Sequence, residues 1–172
     1  MMPIIYIDLD GVLFDLDRGL RDYYQLDHSI ADRSELFKSY LPGYVHGGGF
    51  RFQPVMPKAY DLVNYLIALR NAGRANLAIL TSAGQFFDPV SEVINQKVKA
   101  VADKFPQLKG IPFCVTTSGA DKCYLAHPKA FLIDDWHKNI THFCNANGQG
   151  IVYRPEKYAA AILAIKDFVN AS

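Results

Sequence analysis

Apolar and polar positions along the chain alternate between two periods. Short apolar runs of three or four residues read as buried strands: Ile4 to Ile7, Leu77 to Leu80, Pro112 to Val115, Ala130 to Ile133 and Ile151 to Tyr153. Between them lie stretches with helical spacing. Ala59, Leu62, Val63, Leu66 and Leu69 mark a helix that starts near Met56-Pro57 and stops near Asn71-Ala72-Gly73. Val90, Ile94, Val98, Val101 and Phe105 predict the apolar stripe of a longer helix, with Asp88-Pro89 as its cap and first residue and a break at Pro106 to Gly110. A helix around Asn139 to Ala146 precedes the fifth strand, and a last one starts near Pro155 with Tyr158, Ile162, Ile165 and Val169 on one face. Apolar strands alternating with helices predict a Rossmann-like α/β fold, a five-stranded parallel sheet with helices on both faces.

One segment departs from that alternation. Residues 16–52 lie between the first strand and its expected crossover helix and read as two short helices, the second capped by Asp32 or Ser34 and ending before Pro42-Gly43. The expected organisation is a core of residues 1–15 and 53–172 with a small helical cap inserted at 16–52. Tyr23, Tyr24, Phe37, Tyr40, Tyr44, Phe50 and Phe52 fall in the insert. Most are expected to pack it against the core; one or two are expected to wall the site and stack on a base, a contact worth about 1–3 kcal/mol. The run Gly47-Gly48-Gly49 reads as a hinge, and Arg51 beside it reads equally as a phosphate contact and as a solvated arginine.

The chemistry is concentrated at strand ends. The first strand stops on Asp8 and Asp10, followed at once by Gly11 and later by Asp15. Carboxylates are costly to desolvate without partners. Residues two apart on a strand face the same way, so two close anions invite a divalent cation, and oxygen ligands favour magnesium. The second strand runs into Thr81-Ser82, the third leads to a polar turn carrying Lys122, and the fourth ends in Asp134-Asp135. Each cluster alone is as readily a helix cap or a surface turn. Their joint position at the carboxyl ends of parallel strands, where ligands bind in open sheets, favours a site.

DLDGVLFD, ILTS, Lys122 and LIDD, in that order, resemble the four-motif signature of the haloacid dehalogenase-like (HAD) phosphohydrolase superfamily. Within it, IDLDGVLFD, the aromatic and glycine stretch before Pro54-Val55-Met56-Pro57, and LIDD are similar to the 5'(3')-deoxyribonucleotidases. The resemblance implies a phosphomonoesterase working through an aspartyl-phosphate, with Asp8 as nucleophile and Asp10 as general acid and then general base. It also implies Mg2+ on Asp8, the backbone carbonyl of Asp10 and Asp134, phosphoryl contacts from Thr81, Ser82 and Lys122, and a supporting role for Asp135. The implied substrate is a small phosphomonoester, a deoxyribonucleoside monophosphate first. Another small phosphate ester or a nucleic-acid 3'-phosphate end, and a catalytically silent binding or regulatory protein, are the alternatives. Asp15 is read as a helix cap or a brace for the turn.

Bulk properties set outer limits. The chain has 172 residues, 50% hydrophobic and 13% aromatic, enough for one core, and a formal net charge of +1 with scattered basic residues. That balance argues against binding a nucleic-acid backbone or an anionic membrane. No apolar run is long enough to span a bilayer, and no signal peptide is expected. Cys114, Cys123 and Cys144 form no CxxC pair and are expected to be small buried residues of a cytoplasmic protein. The five histidines lack metal-ligand spacing. His46-Gly47-Gly48-Gly49 looks like an esterase oxyanion loop, but Leu80 stands where GxSxG would need glycine, and no GxxxxGK[ST] is present.

Overall fold

A computed structural model describes residues 2–27, 33–84 and 90–172. Its centre is a five-stranded, all-parallel sheet in the order β3-β2-β1-β4-β5. The strands are β1 (Ile4–Ile7), β2 (Asn76–Ser82), β3 (Phe113–Thr116), β4 (Ala130–Asp134) and β5 (Gln149–Val152). The helices are α1 (Leu16–Tyr24), α2 (Arg33–His46), α3 (Ala59–Asn71), α4 (Val90–Lys104), α5 (His137–Asn145) and α6 (Tyr158–Ala171). β1 lies at the middle, with Ile7 beside Ile79 of β2 and Ile133 of β4. This register brings the carboxyl ends of β1, β2 and β4 to one rim.

The two-residue period of the strands divides the core. Ile5, Ile7, Leu77, Ile79, Phe131 and Ile133 join the larger cluster with residues of α3 and α6. Tyr6, Ala78, Leu80, Ala130 and Leu132 face the other way, toward Ile140 and Phe143 of α5. Every residue of the α3 stripe read from the sequence is buried. Among the described residues no helix is long and apolar enough to cross a membrane.

Several local expectations are corrected. On α4 the buried face is Val93, Gln96, Lys97, Ala100 and Val101, whereas Val90 and Val98 are exposed. Hydrophobicity placed the two polar residues outward, but each has partners inside. The expected cap Asp88-Pro89 and the alternative cap Asp32 lie outside the described residues. Ser34 falls within α2, which runs on through Pro42. A proline inside a helix costs about 3 kcal/mol, but here the following turn buries Tyr44 and Val45. The cysteines are free and not buried, Cys144 being exposed and the other two half-buried.

The segment after β1 has its own apolar cluster, in which Leu16, Leu20, Leu36, Tyr44, Val45 and Phe50 pack with Ala83 and with Val93 of α4. Tyr23, Tyr24, Tyr44 and Phe50 meet in edge-to-face pairs. The glycine run is part of this packing. A Cβ on Gly49 would lie 2.4 Å from the Tyr44 ring, so that residue is a point of close contact. Asp15 caps α1, its Oδ1 accepting from the Arg18 amide at 3.0 Å.

Candidate active site

β1 ends in a tight turn at Gly11, whose φ is +80°. A Cβ there would lie 2.3 Å from the Asp135 carboxyl carbon. Glycine is thus required twice, for a left-handed backbone and for the approach of a carboxylate from β4's end. Asp8, Asp10, Ser82, Lys122 and Asp135 line one cavity of about 410 Å3, together with Ser34, Phe37, Trp136 and Asn139. That volume suits a small molecule. Thr81 and Asp134 lie behind the wall, both with no exposed surface.

Lys122 sits on the short 3-10 helix Ala120–Leu125 and is 1% exposed. Its Nζ lies 2.8 Å from Asp8 Oδ1 and 2.6 Å from Asp134 Oδ2. Burial opposes its charge, but Asp8 and Asp134 more than offset that and hold its pKa above the ordinary lysine value. Asp134 is fixed further by the Trp136 amide at 2.8 Å and by Asn139 Nδ2, 3.0 Å from Oδ1 and 3.1 Å from Oδ2.

A second lysine, Lys97 of α4, serves the other side of β1. Its Nζ donates to Asp10 Oδ2 at 2.5 Å, to the Ser82 carbonyl at 2.9 Å and to Thr81 Oγ1 at 3.1 Å. Gln53 Nε2 approaches the other oxygen of Asp10, Oδ1, at 3.4 Å. Asp8, Asp10 and Asp134 thus face two ammonium groups, and Asp135 adds a fourth carboxylate at the wall. The site has an excess of negative charge. Burial pushes the Asp8 carboxyl up, Asp134 and Asp10 add to the rise and Lys122 opposes it, moving the pKa from 3.8 to about 7.

That imbalance bears on a metal. One carboxylate oxygen from each of Asp8, Asp134 and Asp135 lies within 4.8 Å of the others, a hard all-oxygen donor set. The residues present fit a divalent cation in donor chemistry and in charge. Asp135 brings a side-chain oxygen to this group, whereas the expectation for Asp10 concerns its backbone carbonyl.

Sequence reasoning missed Lys97, Gln53, Asn139 and Trp136. Lys97 and Gln53 carried no local motif, and their partners lie 87 and 43 residues away. Trp136 had a usable signal, its place directly after Asp134-Asp135. Arg51 does not line the cavity; its Nε lies 3.5 Å from Asp103 Oδ2 on the exposed surface. Of the seven insert aromatics, Phe37 is the one on the cavity wall, while Phe52 is 73% exposed.

No family model matches the chain, and no curated protein matches it either. Solved structures do. A haloacid dehalogenase-like hydrolase from Xanthomonas campestris aligns over 99% of this chain and 94% of its own, with TM-score 0.59 and 12% identity. The fold is that of haloacid dehalogenase-like hydrolases. A HAD family hydrolase from Deinococcus radiodurans, solved with bound phosphate and sodium, aligns over 95% of this chain and 88% of its own at TM-score 0.55 and 14% identity. A HAD family enzyme from Bacteroides thetaiotaomicron, an Asp-to-Ala variant in complex with magnesium and inorganic phosphate, aligns over 90% and 95% at TM-score 0.54 and 12% identity.

Proposed function

We propose that the protein is a Mg2+-dependent phosphomonoesterase acting through an aspartyl-phosphate, with deoxyribonucleoside monophosphates as the leading substrates. The observation that carries this reading is the placement of Asp8. Its carboxylate lines a small-molecule cavity at the end of the central strand, 2.8 Å from the Lys122 ammonium and two residues from Asp10. A phosphatase needs a nucleophile, a separate proton carrier and fixed positive charge for the phosphoryl oxygens, and these are the groups present. The complexes of the Bacteroides and Deinococcus neighbours with phosphate support the reading by analogy of fold.

Asp8 attacks phosphorus, and Asp10 gives a proton to the departing ester oxygen. Asp10 then takes a proton from the water that opens the aspartyl-phosphate. Ser82 and Lys122 hold phosphoryl oxygens from the cavity wall, and Thr81, expected to join them, belongs to the same phosphate-binding end of β2 but is buried behind the wall, where its Oγ1 accepts from Lys97. Mg2+, held by Asp8, Asp134 and Asp135 with the carbonyl of Asp10, would supply charge neutralisation for the phosphoryl group. Residues 16–52 act as a cap that limits access to small esters, and Phe37 with Trp136 offers aromatic surface to a base.

The test is a phosphate-release screen over nucleoside monophosphates, sugar phosphates and 3'-phosphorylated oligonucleotides, with and without Mg2+. Release from a deoxyribonucleoside monophosphate that requires Mg2+ and is lost in Asp8→Asn is the expected result. No release from any ester overturns the enzyme reading, and release unchanged in Asp8→Asn overturns the mechanism.

A further inference from the structure

Lys97 is a lysine on the core face of a helix, 3% exposed, where the periodicity of α4 calls for an apolar residue. A buried ammonium is retained only if its donors are satisfied. An ammonium has three. All three of Lys97's are taken, by Asp10 Oδ2, Thr81 Oγ1 and the Ser82 carbonyl. It also lies 4.8 Å from the centroid of the Phe50 ring, which covers it from the insert. No donor remains for a phosphoryl oxygen, and Lys97 does not line the cavity. Its work is therefore on other protein groups.

Those groups belong to two different parts of the proposed machinery. Asp10 is the proton carrier at the end of β1. Thr81 and Ser82 form the phosphate-binding end of β2. Lys97 ties one to the other. By occupying Oδ2 of Asp10 it fixes which oxygen remains for the substrate, and Oδ1 is left with only the Gln53 amide at 3.4 Å. The adjacent Gln96 fastens the insert to the same helix turn. Its Oε1 accepts from the Phe50 amide at 3.2 Å, and its Nε2 donates to the Val45 carbonyl at 2.7 Å.

We propose that Lys97 is a positioning residue that holds the Asp10 carboxyl with Oδ1 directed at the ester oxygen and couples its placement to the phosphate-binding end of β2. This assignment rests on the phosphomonoesterase reading and deepens it. In the first half-reaction the Asp8–phosphorus bond forms, the phosphorus–ester oxygen bond breaks with its electron pair on the leaving oxygen, and the proton on Oδ1 goes to that oxygen. In the second half the same oxygen takes a proton from water as the water oxygen bonds to phosphorus and the Asp8–phosphorus bond breaks.

A leaving group that needs a proton reports on this positioning, and one that does not is blind to it. The experiment compares an alkyl phosphate with p-nitrophenyl phosphate, the second giving a stabilised anion. Lys97→Met is expected to lower kcat/KM on the alkyl ester about 100-fold, as loss of general acid catalysis does, and on the nitrophenyl ester less than about 10-fold. In an Asp10→Asn background the same substitution is expected to add no further selective loss, because the group being positioned is gone. Equal losses on both esters, or none on either, overturn the assignment and leave Lys97 as a structural lysine. Where Lys97→Met does not fold, Lys97→Gln, which keeps a neutral donor, is read in the same way. Wild-type protein that releases phosphate from neither ester overturns the phosphomonoesterase reading and this assignment with it; an active wild type with uniform losses in the variants overturns the assignment alone.

Discussion

Lys122 and Lys97 are two buried lysines placed on the two sides of β1, and they are built differently. Lys122 bridges toward β4, with two carboxylates as partners and a place on the cavity wall. Two of its three donors are used among the described residues, which leaves one for a ligand. Lys97 bridges toward β2, with one carboxylate, one hydroxyl and one carbonyl as partners, and is saturated. Similar burial and the same side chain therefore support opposite uses, one facing the substrate and one facing the protein. Counting donors separates them where burial and charge do not.

The comparison breaks most sharply on removal of the Lys122 charge. Lys122→Met leaves Asp8 and Asp134 buried against each other, and loss of a partner from a buried pair costs about 3–5 kcal/mol. Thermal unfolding should show that drop, and phosphate release should fall about 100- to 1000-fold for every ester, whatever its leaving group. Lys97→Met, by contrast, discriminates between esters. A Lys122 variant that discriminated in the same way would erase the distinction.

A second effect concerns the excess negative charge. The folded protein holds a proton on Asp8 between pH 3.8 and about 7 that the unfolded chain has already lost. The stability this confers is fully present below 3.8 and is lost as pH rises through about 7. In chelator-treated protein the unfolding midpoint should fall over that window, and Asp8→Asn should flatten the fall. Added Mg2+ at pH 8 should raise the wild-type midpoint, the gain in unfolding free energy being about 2.7 kcal/mol at a hundredfold excess over its Kd, and leave Asp8→Asn unmoved. A midpoint indifferent to Mg2+ in both proteins would remove the cation from the Lys122 side.

Smaller changes test the frame around both lysines. Gly11→Ala forces a left-handed backbone on alanine and drives its Cβ into Asp135, a strain of about 1–3 kcal/mol measurable by denaturant unfolding. Gln96→Leu unfastens the insert from α4 and should cost about 1–3 kcal/mol through the unsatisfied Phe50 amide, while the Val45 carbonyl keeps the Gly48 amide as its donor. Its signature is faster proteolysis in residues 16–52 with the sheet intact. Arg51→Ala, at an exposed ion pair, should change stability by under about 1 kcal/mol and activity not at all.

The corrections share a physical cause. A stripe on α4 drawn through Val90, Ile94 and Val98 assumed that buried means apolar. The buried face instead carries Gln96 and Lys97, whose partners are in the insert and at the ends of β1 and β2. Pro42 signalled a helix end, and packing of the next turn carried α2 past it. On α4 contacts distant in sequence outweighed a local preference, and on α2 the burial of the next turn did.

The strand ends, by contrast, were legible because their information is local. Four apolar runs each stopping at or leading into a polar cluster, with a glycine just after Asp10, determined by themselves a parallel sheet with a candidate site along one rim. Asp8, Asp10, Ser82, Lys122 and Asp135 meet there because the register of β1 against β2 and β4 places them so. What only the tertiary structure decided is who holds each carboxylate. Lys97 reaches Asp10 across 87 residues, Lys122, Asn139 and the Trp136 amide orient Asp134, and Phe37 alone of the insert's aromatics reaches the wall. Periodicity records which face of an element is buried. It carries no record of which distant group that face will meet, and for a buried charge the partner determines what the residue does.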